Sequence, residues 1–430
     1  MTQQAPAWAA SPRHLASRPV STRPASPVPV PHEVCIHPGP ALLEGVADGP
    51  SLAAHRKRYG DLPTTRLPHL LQLVRGAGLR GRGGAAFPFA TKLETASKRR
   101  RPVVVVNLSE GEPASAKDSA LALSRPHLVL DGATAAAQAL GSREVHLVVT
   151  GERPLVRQSM ERALEERAGD VAVRLHTAAP RFVAGQARAV IELLSGRPNL
   201  PVTAWSPEAI EGLRGRPTLL SNAETWAHVG LLVLRGEGAY RRHGTETEPG
   251  TALLSLTTPG EEPHVLEVPY GTRLREVLPE AAHGLPALVG GFHGSWATWP
   301  TLANARISVP HLAALGTPLG AGVLLVPDAE TCPVELTSRI VAFLAGQSAG
   351  RCGPCHNGLP ALAAAVHDVA TGRGGAERAG QLAELVRGRG ACAHPDGTAR
   401  LVRSLLGTLP HEVAEHVSGG CAHLRAAVAS

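Results

Sequence analysis

The chain has 430 residues, enough for a large core and two to four domains, with a formal charge of +7 and only 3% aromatic residues. The basic residues are spread along the chain, and so few rings for base stacking argue against a nucleic-acid surface. No apolar run reaches the roughly 18–20 residues that span a bilayer; six cysteines, unevenly spaced, are too few for a disulfide scaffold and fit a reducing cytoplasm.

In chain order, the first thirty or so residues are Pro, Ser and Ala with scattered Arg. They lack the apolar centre of a secretory signal, and residues 1–45 are expected to be a disordered tail. "PTTRLPHLLQLVRGAGLRG" (63–81) predicts an amphipathic helix running into glycines. "KRRR" (98–101) reads as a solvated turn before "PVVVVNLSEGEP" (102–113), a buried strand ending in a polar loop. "HLVLDGATAAAQAL" predicts a helix, "EVHLVV" a strand, "PLVRQSMERALEERAG" a helix, "VAVRLHT" a strand and "GQARAVIELLSG" a helix. This alternation argues for α/β architecture: a parallel, Rossmann-like sheet over 46–245, with ligands beyond the carboxyl ends of its strands. From about 250 short strands alternate with turns, which predicts a separate β-grasp-like module (246–328). From "CPVELTSRIVAFLAG" onward the pattern is helical, roughly 333–346, 357–370, 376–388, 397–407 and 410–418, a helical bundle within 329–430.

Three stretches carry chemistry. In "GLRGRGGAAFP" (78–88), Gly81, Gly83 and Gly84 let the backbone lie close to a ligand; exposed N–H groups suit phosphate, and Arg80 or Arg82 adds charge. The spacing is neither GxGxxG nor a Walker loop, so an anion site and a structural turn both remain open. In "NLSEGEP", Asn107 and Ser109 can hydrogen-bond a polyol or a heteroaromatic ring, and Glu110 and Glu112 can accept from hydroxyls; a solvated acidic loop would look the same. In "SAGRCGPCHNG", Cys352 and Cys355 aim two sulfurs at one spot, as metal ligands do. Lysine is rare: Lys57, Lys92, Lys98 and Lys117 are the only ones, against 39 arginines. A position that keeps Lys hints at a need for a compact ammonium.

"LRGRGGAAFP…K", "NLSEGEP…KD", "PTLLSNAET", the 250–275 module, "AALGTPLGAGVLLV" and "CGPC…C" occur in one order. As a set they resemble the flavin-bearing, NADH-oxidising subunit of respiratory complex I and its soluble hydrogenase and formate dehydrogenase relatives, over nearly all of residues 60–410. The resemblance implies FMN in the loop Gly81, Arg82, Gly83 and Gly84 and against Asn107, with Ser109, Glu110, Gly185 and Asn222 around it. It implies NADH stacked on the flavin, with Phe87 nearby and Lys92 and Glu112 helping to hold it. The middle module resembles the family's soluble-ligand-binding (SLBB-like) β-grasp domain. The bundle resembles the one that holds a [4Fe–4S] cluster, passing electrons to a [2Fe–2S] or ferredoxin-like partner. A cytoplasmic NADH dehydrogenase-like oxidoreductase is the expected activity.

The departures from that pattern are local. The family's E-S-C-G-x-C-x-P-C-R reads "QSAGRCGPCHN", so Cys352, Cys355 and the distant Cys392 match, and Ala349 stands where the first thiolate belongs. Three thiolates can hold a [3Fe–4S] cluster, or a [4Fe–4S] cluster with another fourth ligand, for which His356, His394 and Cys421 are candidates. Zinc on Cys352, Cys355, Cys392 and His394 is chemically sound as well, and a vacant site is the third reading. The family's Y-x-C-G-E-E reads "FVAGQA", which puts Gln186 and Ala187 in place of two carboxylates. Ser221 and Ser109 are further substitutions, and the family's K-P-P-F is absent from "NLPVTAW". The alternative function is a non-catalytic or zinc-binding scaffold with an eroded NADH site.

Overall fold

The structure, a computed structural model, describes residues 26–28, 34–167, 171–418 and 420–421. Most of the expected tail, residues 1–25 and 29–33, lies outside the described residues. Residues 34–45, also assigned to the tail, are folded. Strand β1 (Cys35–Ile36) pairs with β7 (His264–Pro269), and Leu42 and Leu43 are fully buried. The cause is long-range: Glu267 on β7 accepts from the backbone N–H groups of Leu42 (2.7 Å), Leu43 (2.9 Å) and Ala41 (3.1 Å). Composition carries no trace of a partner more than 220 residues away.

Four strands form a wholly parallel sheet: β2 (Val103–Leu108), β3 (Glu144–Thr150), β4 (Ala172–Ala178) and β5 (Thr218–Asn222), in the order β4-β3-β2-β5. Both faces of β2 are covered, which is why it reads as an unbroken apolar run. Val104 and Val106 enter a core shared with Trp226, while Val103 and Val105 enter a second core with Val190 and Ile191. Sequence periodicity missed β5, whose five buried residues carry little alternation. Its position matters. The chain runs β2, β3, β4 to one side and returns to the other side of β2, so the order reverses between β2 and β5. In parallel α/β sheets a crevice opens at that reversal, beyond the carboxyl ends of the strands.

A second, mixed sheet has the order β1-β7-β6-β10-β8-β9, where β6 is Thr251–Thr257, β8 Ala287–Val289, β9 Ser295–Ala297 and β10 Val323–Leu325. One face packs on Leu302, Ile307 and Leu312; the other, with Leu288, Val323 and Leu325, shares a core with the C-terminal helices. Those helices are Pro333–Gly346, Leu359–Ala370, Ala376–Val386, His394–Thr408 and Pro410–Val417. Trp296 on β9 fastens the two layers: its N–H donates to Ser404 (3.0 Å) and its indole N–H to Thr337 (2.9 Å). Among the described residues no helix is long and apolar enough to cross a membrane.

Candidate functional site

The crevice at the β2/β5 reversal is a cavity of about 680 Å³. Gly81, Arg82, Gly83, Gly84, Phe87, Lys92, Asn107, Ser109, Glu110, Glu112, Gly185 and Asn222, the residues singled out from sequence, all line it. Asn107 and Asn222 are register partners at the ends of β2 and β5, so their amides flank the mouth. Asn222 also caps helix Ala223–Tyr240: its Oδ1 accepts from the Thr225 N–H (3.4 Å) and hydroxyl (2.5 Å), and the positive helix end therefore faces the cavity. Asn107 donates to the Gly185 carbonyl (2.7 Å) and accepts from the Ser109 N–H (3.1 Å). A Cβ at Gly185 would lie 2.4 Å from the Ser109 carbonyl oxygen, so this close approach requires glycine.

A buried ionic network holds the glycine loop against these strand ends. Lys117 Nζ donates to the Arg82 carbonyl (2.6 Å) and pairs with Glu224 (2.5 Å). Burial would lower the lysine's pKa, but Glu224 and Asp118 hold it raised; burial likewise opposes, and Lys117 enforces, the depression of Glu224 to about 2. Asp118, pushed by burial to about 7, accepts from Asn222 Nδ2 (3.1 Å) and the Glu224 N–H (3.2 Å). Here a compact ammonium suits the space, and the scarcity of lysine was the sequence signal. Thr225, Phe182, His293, Gly320 and Arg400 also line the cavity; Thr225, Phe182 and Gly320 lie within the ordered motifs, and nothing local marks His293 or Arg400.

Two side chains turn away from the uses their motifs suggest. The Arg82 guanidinium is buried over the Tyr270 ring, 4.7 Å from its centroid, so this loop offers a ligand its backbone and not that charge; Arg80 is bonded to the Ala86 carbonyl (3.3 Å). The Glu110 carboxylate is occupied by its own surroundings: Ser115 and Ser119 hydroxyls (each 2.6 Å), two backbone N–H groups (each 3.1 Å) and Arg153 (2.6 Å). Lys92 bonds the Leu220 carbonyl (2.9 Å) and Glu208 (3.3 Å) at the cavity wall. Glu112 accepts from the Phe292 N–H (2.9 Å), and burial raises its pKa to about 8, so it is protonated at neutral pH. Phe87, half exposed, presents an aromatic face at the rim.

The loop fits a phosphate-bearing ligand on an observation independent of motif. A Cβ at Gly83 meets nothing nearer than Asn222 at 3.8 Å, and Gly83 has no positive φ, so neither packing nor backbone strain inside the protein demands glycine there. Gly84, at φ +103°, supplies the turn. What Gly83 keeps free is the cavity itself.

Beside the cavity lie the cysteines. Cys352 and Cys355 Sγ are 3.5 Å apart where the chain enters a π-helical turn, Pro354–Gly358, a local widening common at functional sites. Burial would raise the Cys355 thiol, but N–H groups of Arg351 and Gly350 and the Cys352 thiol hold it lowered. Burial raises Cys392, with Cys355 and Cys352 adding negative charge nearby, while the His394 N–H and the Gln186 side chain bond its sulfur. Gln186 thus touches both the cavity and the third cysteine. The zinc set with His394 does not fit this arrangement. His394 Nε2 bonds the Leu344 carbonyl (2.8 Å) and Nδ1 bonds His293 (3.0 Å), which leaves no lone pair for a metal. Cys421 is grouped elsewhere, with Cys332 and His416. Of the three candidate fourth ligands, exposed His356, on the π turn itself, is the one still uncommitted to another cluster.

Residues 74–231 match the Nuo51 FMN-binding domain, and residues 335–416 match the NADH-ubiquinone oxidoreductase-F iron-sulfur binding region. The F subunit of the NADH-quinone oxidoreductase of Mycobacterium bovis is 32% identical over 382 residues, 82% of this chain and 85% of that protein. The F 2 subunit of the Rhizobium meliloti enzyme is 30% identical over 87% of this chain and 94% of its own length. The HndC subunit of the NADP-reducing hydrogenase of Solidesulfovibrio fructosivorans is 27% identical over 81% and 76%. Among solved structures, a chain of an NAD+-reducing [NiFe]-hydrogenase in the H2-reduced state superposes with a TM-score of 0.80 at 26% identity, covering 90% of this chain and 68% of that one.

Proposed function

The chain belongs to the family of NADH-quinone oxidoreductase F subunits, and from that premise we propose that it is a flavoprotein electron-transfer subunit that takes a hydride from NADH. Bound in the cavity, FMN supplies the conversion of a two-electron hydride into single electrons, and an iron–sulfur cluster on the nearby cysteines supplies their exit. The observation that carries this reading is the cavity at the strand-order reversal, with its free glycine backbone, joined through Gln186 to Cys392.

The roles proposed for the chain's own groups follow from their chemistry. N–H groups of Gly83 and Gly84 hold the phosphate, those of Gly81 and Arg82 being bonded to the Phe87 carbonyl (2.8 Å) and the Thr225 hydroxyl (2.9 Å). Asn107 and Asn222 orient the polyol and ring, and Phe87 stacks on the nicotinamide or adenine. Glu112, protonated, offers a neutral hydrogen-bonding group where an ionised one would repel the nucleotide. Cys352, Cys355 and Cys392 hold three corners of the cluster, as a three-iron centre or a four-iron centre with a non-thiolate fourth ligand. We read the second sheet as the family's β-grasp module, the C-terminal helices as its cluster-bearing bundle, a small [2Fe–2S] or ferredoxin-like protein as the acceptor, and the cytoplasm as the location.

Gln186 and Ala187, lining the cavity where the family has two carboxylates, favour a second reading, a scaffold subunit that keeps the fold with a weakened NADH site. Anaerobically purified protein separates the two. The first reading expects stoichiometric FMN, iron with acid-labile sulfide, and bleaching of the flavin by NADH. Flavin present but unbleached by millimolar NADH selects the scaffold; absence of both flavin and iron after reconstitution sinks the electron-transfer reading.

A further inference from the structure

At the far end of the C-terminal helices is a second cluster of metal-type ligands that the electron path does not use. Among the described residues, Cys332, His416 and Cys421 form the only group of three His, Cys, Asp or Glu ligand atoms lying within 4.8 Å of one another. All three are buried, at 4%, 5% and 7% exposure. Cys332 immediately precedes helix Pro333–Gly346, and His416 is in the last turn of helix Pro410–Val417. We propose that Cys332, His416 and Cys421 bind a zinc-class divalent cation that pins the C-terminal segment to the start of helix Pro333–Gly346.

Hydrogen bonding sets the ligand roles. His416 Nδ1 lies 2.8 Å from the Ala370 carbonyl, which can only accept, so Nδ1 carries the proton. Nε2 then presents its lone pair towards Cys332 Sγ, 3.0 Å away. A carbonyl holding the far nitrogen of an imidazole is the outer support that fixes a metal-binding tautomer. Burial raises the Cys332 thiol to about 12, so its proton leaves only to an entering ion; N–H groups of Glu335 and Val334 bond its sulfur from the helix end. Two thiolates and one imidazole are a soft, borderline set suited to tetrahedral zinc. As the ion enters, both thiol protons leave to solvent, and Zn²⁺ with two S⁻ is a neutral unit, which suits a buried position. A Cys332–Cys421 disulfide would instead leave the His416 lone pair without a donor. His416 and Cys421 border a cleft of about 530 Å³, lined also by Glu335, Arg339 and His367, from which a water can complete the tetrahedron.

The test uses the full chain, purified under reducing conditions with its own flavin and iron and incubated with Zn²⁺ before desalting. Elemental analysis should find about one zinc per chain, and zinc-edge X-ray absorption should find two sulfurs at about 2.3 Å with nitrogen at about 2.0 Å. Cys332→Ser and Cys421→Ser should each lower zinc at least tenfold with iron and flavin unchanged, whereas Cys355→Ser should lower iron and leave zinc. Zinc absent after incubation, zinc undiminished in Cys332→Ser, three or more sulfurs around the ion, or a two-hydrogen mass deficit marking a disulfide would each overturn the proposal. The absorption spectrum of the unaltered chain stands by itself if a variant does not fold.

Discussion

At Gly83 the structure leaves room for a Cβ, with Asn222 the nearest atom at 3.8 Å, so larger branches at this position project into the cavity and not into packed protein. Gly83→Val should therefore abolish FMN retention while the unfolding free energy of the flavin-free protein stays within about 0.5 kcal/mol of the parent, the range typical of substitutions that break no packing. Flavin absorbance per chain after desalting checks it; stoichiometric flavin in the variant would remove the loop from the site. Gln186 and Ala187 make a complementary case. Gln186 precedes helix Ala187–Leu194, so carboxylates here would sit at a positive helix end, beside the flavin position. Restoring both, Gln186→Glu with Ala187→Glu, should tighten NADH by about tenfold, the worth of one charge-assisted hydrogen bond of about 1.5 kcal/mol. Added negative charge should also lower the flavin potential, because it disfavours the anionic reduced form. Titration of the reduced or dead-end complex measures the first effect and redox titration the second; unchanged affinity argues against this orientation of the nucleotide.

At the scale of elements, the segment between helix Pro333–Gly346 and the π turn decides the cluster. Gly350, at φ +64°, reverses the chain, and N–H groups of Gly350 and Arg351 already reach the Cys355 sulfur. Ala349 is one residue upstream of that contact and partly buried. A thiolate at this position is three residues before Cys352, so Ala349→Cys should raise iron towards a four-iron stoichiometry, change the EPR signal and slow loss in air. Iron and acid-labile sulfide absent from both parent and variant after anaerobic reconstitution would end the cluster reading, while zinc at Cys332 would be unaffected. β5 illustrates the same dependence on position. Its residues show no strand periodicity, yet its place beside β2 creates the crevice.

For the whole molecule, buried ionisable groups predict an optimum in pH. Burial lowers His228, His394, His127 and His146 to about 4, and His293 well below the usual imidazole range. These imidazoles are neutral when folded and take up protons on unfolding, so stability falls as pH drops from about 6.5 towards 4. Glu112, raised to about 8, and Asp118, raised to about 7, act in the other direction: they hold protons in the fold, and their contribution is lost as pH rises through those values. Resistance to unfolding should therefore peak at about pH 6–7. Thermal melts across this range check it, with Glu112→Gln flattening the alkaline side; a Tm that climbs steadily to pH 9 would contradict the assignment.

The sequence by itself determined the order of elements, the doubly covered parallel strand Val103–Leu108, the five helices after Cys332 and the ordered motifs that carry the family. These are local or repetitive: periodicity reports which faces are buried, and a motif needs only its own neighbours. Of the cavity lining, Gly81, Gly83, Gly84, Asn107, Ser109, Glu110 and Glu112 were legible in the same way, because backbone turns and strand ends advertise themselves in glycine and polar residues; Phe87, Lys92, Gly185 and Asn222 came through the family resemblance. What each side chain does there was decided by tertiary structure. Arg82 turns to Tyr270, Glu110 spends its oxygens on Ser115, Ser119 and Arg153, and His394 gives both nitrogens to His293 and Leu344. The folding of residues 34–45 onto Glu267 and the meeting of Cys332 with His416, 84 positions later, depend on packing between distant segments. A polar side chain bonds whichever partner burial brings within about 3 Å, and spacing along the chain carries no record of that partner.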